Sequence, residues 1–257
     1  MTRWSLWLAS TLLSAVCCET LCLAAPGLSP ESDRSANEAA TLVAELLSQK
    51  PPDDITVEGV LKFRDAKDKR SAIPVTYSIK RGPEGWHGTY ETAPANGPRE
   101  RLVVVHQYPR PNQYLHWPGA EAGQSLGEPK RLSGDQAAIP FAGTDFWIAD
   151  LGLEFLHWPQ QRLVKHRITM RSGRPCKVLE SINPKPSATS YARVLSWIDR
   201  EYGAVIYAEG YDSGGKLWKS FHVKAFRKEV PEMWILNDKK NTRTGLQLQW
   251  GETPAEP

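Results

Sequence analysis

From residue 55 onward, apolar and polar positions alternate with a period of two. The pattern runs through ITVEGVLKF (55–63), AIPVTYSIK (72–80), GWHGTYET (85–92), RERLVVVHQY (99–108) and NQYLHW (112–117). It resumes in RLVKHRITM (162–170), CKVLESI (176–182), YARVLSWID (191–199), AVIYAEGYD (204–212), KLWKSFHVKAF (216–226), EMWILND (232–238) and TRTGLQLQW (242–250). Strict alternation over such lengths, punctuated by Gly, Pro, Asn and Asp, is the signature of half-buried strands joined by tight turns. It predicts a mainly β chain with a meandering antiparallel sheet of about eleven strands and no βαβ units. A sheet this long must close, fold into a sandwich or curl around something apolar.

Two segments break the period. In SANEAATLVAELLSQK, Ala36, Ala39, Ala40, Val43, Leu46 and Leu47 recur near helical spacing, and Pro51-Pro52 ends the run. The second segment, FAGTDFWIADLGLEFLHWP (141–159), concentrates Phe146, Trp147, Ile148, Leu151, Leu153, Phe155, Leu156 and Trp158 around Gly152. It is too short to span a bilayer and greasier than a solvated loop. It reads as a core helix, as a lid over an apolar cavity, or as a surface that meets lipid.

The N-terminus alters the later counts. Met1-Thr2-Arg3, an uncharged apolar run from Trp4 to Val16, and small residues at Cys22 and Ala24 ahead of the expected cut form the three-part layout of a secretory signal peptide. The expected organisation is a signal peptide at 1–24, a flexible lead-in at 25–34, one domain at 35–250 and a C-terminal tail at 251–257. The leader holds Cys17, Cys18 and Cys22, but Val16, Cys17 and Leu21 precede them, a poor setting for lipid attachment. Only Cys176 remains after cleavage, so no internal disulfide can form, and the periplasm is the expected compartment. The formal charge of +3 is unchanged by cleavage and too mild to point to nucleic acid. Eight of the ten tryptophans lie between Trp86 and Trp250, so the domain must bury or use much aromatic surface.

Candidate chemistry is thin. Asp212-Ser213-Gly214-Gly215 matches the DSGG of trypsin-like proteases and would make Ser213 the best nucleophile of a secreted hydrolase. It falls between two alternating runs, however, where these residues build a hairpin turn, and no histidine sits in a matching context. The histidines at 87, 106, 116, 157, 166 and 222 lack metal-ligand spacing, although LHWP occurs twice, at 115–118 and 156–159. Cys176 follows Pro175 at a strand start and reads as a small buried hydrophobe. The expectation is a chain without catalysis, metal or cofactor.

Two stretches resemble a known family. IPFAGTDFWIADL is similar to the GSDFSYEDL region of outer-membrane lipoprotein-sorting proteins, the LolA/LolB-like superfamily, through Gly143, Thr144, Asp145, Phe146, Asp150 and Leu151. Trp147-Ile148-Ala149 replaces the family's more polar Ser-Tyr-Glu. The stretch from Val194 to Phe226 resembles the family's WVD…DGKLLKT hairpin through Trp197, Ile198, Asp199, Tyr211, Asp212, Gly215, Lys216, Leu217 and Lys219. Glu232-Met233-Trp234 and Thr242-Arg243-Thr244 occupy the places of its closing strands. The resemblance covers residues 35–250, but Gly203-Ala204-Val205 replaces a proline-bearing turn.

It implies a curved antiparallel half-barrel whose apolar concave face is covered by short helices. Residues 145–157 would form a lid, capped by Thr144 or Asp145 and jointed at Gly152. Phe146, Trp147, Leu151, Phe155, Trp158, Trp117 and Trp218 would be the apolar ligand-binding residues. The implied function is a monomeric periplasmic carrier that shelters lipoprotein acyl chains or other lipid. The alternative is an envelope sensor or binding module of the same fold that meets a protein partner.

Overall fold

The computed structural model describes residues 30–95, 97–120, 124–224 and 232–249. The expected leader, the tail and the first part of the lead-in lie outside these residues. Helix α1 spans Pro30–Ser48, starting before residue 35, so the rest of the lead-in is helical. Proline suits a first turn, where its missing N–H has no intrahelical acceptor to serve. Ala39, Leu42 and Val43 are buried, and the Ser35 hydroxyl donates to the Leu163 carbonyl at 2.8 Å.

The described residues form one thirteen-stranded sheet. Its strands are β1 (Ile55–Arg64), β2 (Arg70–Arg81), β3 (Trp86–Thr92), β4 (Arg99–His106), β5 (Gln113–Ala120), β6 (Lys130–Leu132), β7 (Gln160–Arg171), β8 (Arg174–Ile182), β9 (Arg193–Asp199), β10 (Ala204–Tyr211), β11 (Leu217–Lys224), β12 (Glu232–Asn237) and β13 (Thr242–Gln249). Every alternating run becomes a strand. The additional one is β6, Lys130-Arg131-Leu132, which is too short and too charged to show a period. Such an edge discourages pairing with another chain.

Sequence neighbours pair antiparallel throughout, except that the chain breaks from β6 to β7 and the first strand pairs with the last. Leu61 lies opposite Leu246 across that β1–β13 seam. The sheet therefore stays open, with β6 and β7 as its edges, and residues 133–159 pass from one edge to the other. Tyr90, Leu102 and Tyr114 from one half and Leu179, Val194 and Phe221 from the other share a core with that passage. A sheet whose distant strands bury one face around one segment must curl over it, which gives the mainly β, half-barrel architecture with few helices.

The outer face uses aromatics differently. Trp197, Tyr207, His222 and Trp234 lie opposite one another across β9 to β12. Trp197 and Tyr207 are 5.0 Å apart and Tyr207 and His222 4.7 Å, and the Arg171 guanidinium stacks 3.4 Å above Tyr207. A large share of the aromatic surface therefore forms a cross-strand ladder outside the core.

Candidate functional site: a lid held by buried charges

The passage between the sheet edges opens as a tight hairpin. The Phe141 N–H donates to the Phe146 carbonyl at 2.7 Å and the Ile148 N–H to the Ile139 carbonyl at 2.9 Å. Ala142 and Gly143 take positive φ at its tip (52° and 66°), a conformation glycine adopts freely. The Thr144 hydroxyl donates to Phe141 O and accepts from Phe146 N. Thr144 thus stabilises this turn and caps no helix. Helix α2 (Ile148–Leu151) starts at Trp147, whose N–H donates to Asp150 at 2.9 Å. The cap comes from Asp150 and not, as expected, from Thr144 or Asp145.

Asp145 has a different task. Its carboxylate accepts from Asn237 Nδ2 (3.0 Å), Thr242 Oγ1 (2.6 Å) and Thr244 Oγ1 (2.9 Å) on β12 and β13. Its N–H donates to Thr244 Oγ1 at 3.0 Å. Beside it, the fully buried Lys219 of β11 donates from Nζ to Asp145 O at 2.7 Å and to Asp150 Oδ2 at 3.1 Å. The other Asp150 oxygen accepts from the Tyr191 hydroxyl at 3.2 Å. Lys219 Nζ also sits 3.5 Å from the centre of the Trp147 ring, which stacks on Tyr191 at 4.6 Å. One ammonium, two carboxylates and two aromatic rings therefore clip the lid to the sheet with their polar groups satisfied.

Burial lowers the Lys219 ammonium to about 8, opposed by Asp150, so it stays protonated at neutral pH. Burial pushes the Asp150 carboxyl up, and Lys219 opposes that shift. Lys219 is among the residues that carry the family resemblance, but the sequence gives it no role. The available signal was its position in phase with Leu217, Phe221 and Val223, a lysine on an apolar face.

Beyond α2, Gly152 joins it to a 3-10 turn at Glu154–His157. The joint is where it was expected, but for a steric reason. A Cβ on Gly152 would lie 2.4 Å from the Tyr114 hydroxyl, and the positive φ falls on Leu153 (50°). Asn112 Nδ2 donates to Gly152 O at 2.7 Å, and the Tyr114 hydroxyl donates to Glu154 Oε2 at 2.8 Å.

Burial raises the Glu154 carboxyl to about 7, against the Tyr114 hydrogen bond. A folded value above the ordinary 4.5 means that its contribution to stability is full below about pH 4.5 and lost as pH rises through about 7. Glu154→Gln is expected to remove that loss, worth on the order of 2 kcal/mol at pH 8. Denaturant unfolding of both proteins from about pH 5 to 8 checks it, the variant showing the flatter profile.

The expected ligand-binding side chains separate into three groups. Phe146, Trp147, Leu151 and Phe155 are buried and occupy the concave face. Trp158 and Trp218 are half-buried at its margin, with Trp218 set edge-on to Trp147 at 5.0 Å. Trp117 is not brought to this site. It lies out of phase with the inward Tyr114 and His116, donates Nε1 to Gly127 O at 2.9 Å and stacks under Arg101 on the outer face.

The LHWP histidines take different partners. His116 Nε2 bonds Glu100 Oε1 at 2.7 Å, while His157 is near enough to His106 to help burial lower that ring to about 4. DSGG is a hairpin turn in which Asp212 Oδ1 accepts from Gly214 and Lys216 N–H groups. Cys176 is buried, and burial raises its thiol.

Two clefts flank Leu156 and Leu47. One, of about 160 Å³, lies between the end of α1, Tyr77, Tyr90 and Val104 of the sheet, and Leu151 and Leu153 of the lid. The other, of about 460 Å³, runs between Ala40 and Val43 of α1, Tyr108 and Pro109 before β5, and Trp158.

Among solved structures, the chain is similar in fold to a DUF1329 family protein from Desulfovibrio piger. The TM-score is 0.64 at 16% identity, covering 84% of this chain and 91% of that one. It is also similar to an outer membrane lipoprotein-sorting protein domain from Vibrio parahaemolyticus (TM-score 0.60, 18% identity, 88% of this chain and 94% of that one). A LolA superfamily protein from Nitrosomonas europaea matches with a TM-score of 0.54 at 17% identity, covering 84% and 92%. At these identities the likeness is one of fold, and the fold is LolA-like. No curated protein sequence matches the chain. A family model described as uncharacterized protein matches residues 98–250, more than half of the sequence, and the chain belongs to that family.

Proposed function

We propose that the chain is a non-catalytic periplasmic binder of apolar chains, which carries lipid or lipoprotein acyl groups against the concave face of its sheet. The observation that supports this most is an aromatic lid held over that face by a few localised polar contacts. Phe146, Trp147 and Phe155 occupy the space an acyl chain would take, and the lid is attached through Asp145, Asp150 and Lys219. The 160 Å³ cleft beside it is smaller than the ~300–1,000 Å³ of ordinary ligand sites. Through that cleft a long chain reaches the concave face only as the lid moves aside.

Each buried methylene contributes ~0.8 kcal/mol, and displacement of the lid aromatics offsets part of it. The net affinity stays modest, as reversible handover demands. Described residues contain no helix long and apolar enough to cross a membrane, and the leader-like N-terminus supplies the route of export.

Titration with a fluorescent fatty acid is expected to give saturable binding that unlabelled fatty acid displaces. Trp158→Ser, at the half-buried margin, is expected to weaken it without unfolding the protein. A wild-type titration with no saturable component would refute the reading.

A further inference from the structure

On the outer face, away from the lid, β1, β2 and β13 bring three arginines into line. Arg64 lies directly opposite Arg70 on one side and Arg243 on the other. Residues so paired have their backbones about 5 Å apart, and like charges directly opposite each other destabilise a sheet. Lys62, one outward position along, adds a fourth cation beside them. Asp68 is the carboxylate that answers Arg64 and Arg70, at 3.2 and 3.8 Å, and it is largely exposed.

Between the two rows the floor drops, because Ala72 and Gly245 are the partners of Lys62. A groove of about 500 Å³ results. One wall is apolar: Trp234 lies across Gly245, where a Cβ would come within 2.4 Å of its ring. Arg243 stacks 3.8 Å above that ring. Trp234 Nε1 and Arg243 Nε are buried donors with no hydrogen-bond partner in the structure.

We propose that this groove binds the phosphate of an anionic glycerophospholipid headgroup, with the glycerol and first methylenes against Trp234. Four cations facing one carboxylate favour an anion. Arginine forks suit phosphate oxygens. The apolar wall distinguishes a lipid headgroup from free phosphate. The site lies on the opposite face from the lid and stands independently of the acyl-chain reading. A carrier or sensor with such a groove could rest its outer face on a membrane surface while the concave face stays free.

The test is calorimetric titration of the full chain with dihexanoyl phosphatidylglycerol below its micelle concentration. Inorganic phosphate and dihexanoyl phosphatidylcholine are titrated in parallel. Saturable phosphatidylglycerol binding is expected, weakened by salt and by roughly tenfold or more in Arg64→Gln. Both other ligands should bind far more weakly. Arg64 is exposed and surrounded by like charge, so its replacement should leave thermal stability unchanged or raised. Trp234→Leu should weaken the lipid and leave any response to phosphate unaltered. Phosphatidylglycerol that fails to bind, binds Arg64→Gln as well as wild type, or binds no better than inorganic phosphate overturns the proposal. Fatty-acid binding at the concave face should be the same in wild type and Arg64→Gln, which separates failure here from failure of the carrier reading.

Discussion

Lys219→Met is expected to lower folding stability by about 3–5 kcal/mol, the usual cost of removing one partner from a buried ion pair. The methionine can fill much of the volume. What is lost is the ammonium that holds the Asp145 carbonyl and the Asp150 carboxylate together and lies on the Trp147 ring. Among the described residues, Asp150 is then a buried carboxylate supported by the Trp147 N–H and the Tyr191 hydroxyl alone. In a chain of this size the change corresponds to a melting point lower by roughly 10 °C.

The partner variant Asp150→Asn keeps the shape and leaves the lysine unbalanced, so it should cost a similar amount. Combining both should cost clearly less than the sum of the two, because neither charge is then stranded. Thermal and denaturant unfolding of the four proteins measure this. Additive losses, or a Lys219→Met loss under 1 kcal/mol, would mean that the pair does not hold the lid.

Phe146→Ala should be comparably severe. The ring is fully buried at the hairpin that places Asp145 and Trp147 on either side of it. Removing a large side chain from such a position costs about 3–5 kcal/mol through lost transfer free energy and the cavity left behind. Half-buried Trp158, at the margin of the larger cleft, should tolerate alanine at roughly a third of that cost, since it loses less buried area. Denaturant midpoints would check the contrast. Equal losses at the two positions would contradict the division of the segment into a clamped start and a looser end.

The sheet was legible because period-two alternation survives wherever one face is buried and the other wet. β4 and β8 also bury short continuous runs, Leu102 to Val105 and Val178 to Ser181, and among the described strands β6, three residues long, is the one too short to show a period. The lid was legible as an apolar stretch, and Gly152 as its joint. Its anchoring was not. Thr144 and Asp145 read as cap candidates because a polar or acidic residue before an apolar run is a local signal. The side chains that hold the Asp145 carboxylate are 92 to 99 positions away in sequence, and those that meet Asp150 are 41 and 69 away. Thr242, Thr244 and Asn237 looked like ordinary strand and turn residues for the same reason.

Trp117 was misplaced because tryptophan alone does not say which face of a strand it takes. The phase of Tyr114 and His116, both inward, would have decided it. The outer arginine row was not legible because Arg243 joins Arg64 and Arg70 only through the pairing of first strand to last.

The central claim is that the lid covers a surface made for apolar chains. Native mass spectrometry of the protein purified from its own envelope, with lipid extraction alongside, tests it most directly. A bound acyl lipid that is present in the wild type, exchangeable for added fatty acid and depleted in Trp158→Ser is the predicted result. A clean mass for the polypeptide alone, unchanged by added acyl ligands, would contradict it and leave Phe146, Trp147 and Phe155 as core and nothing more.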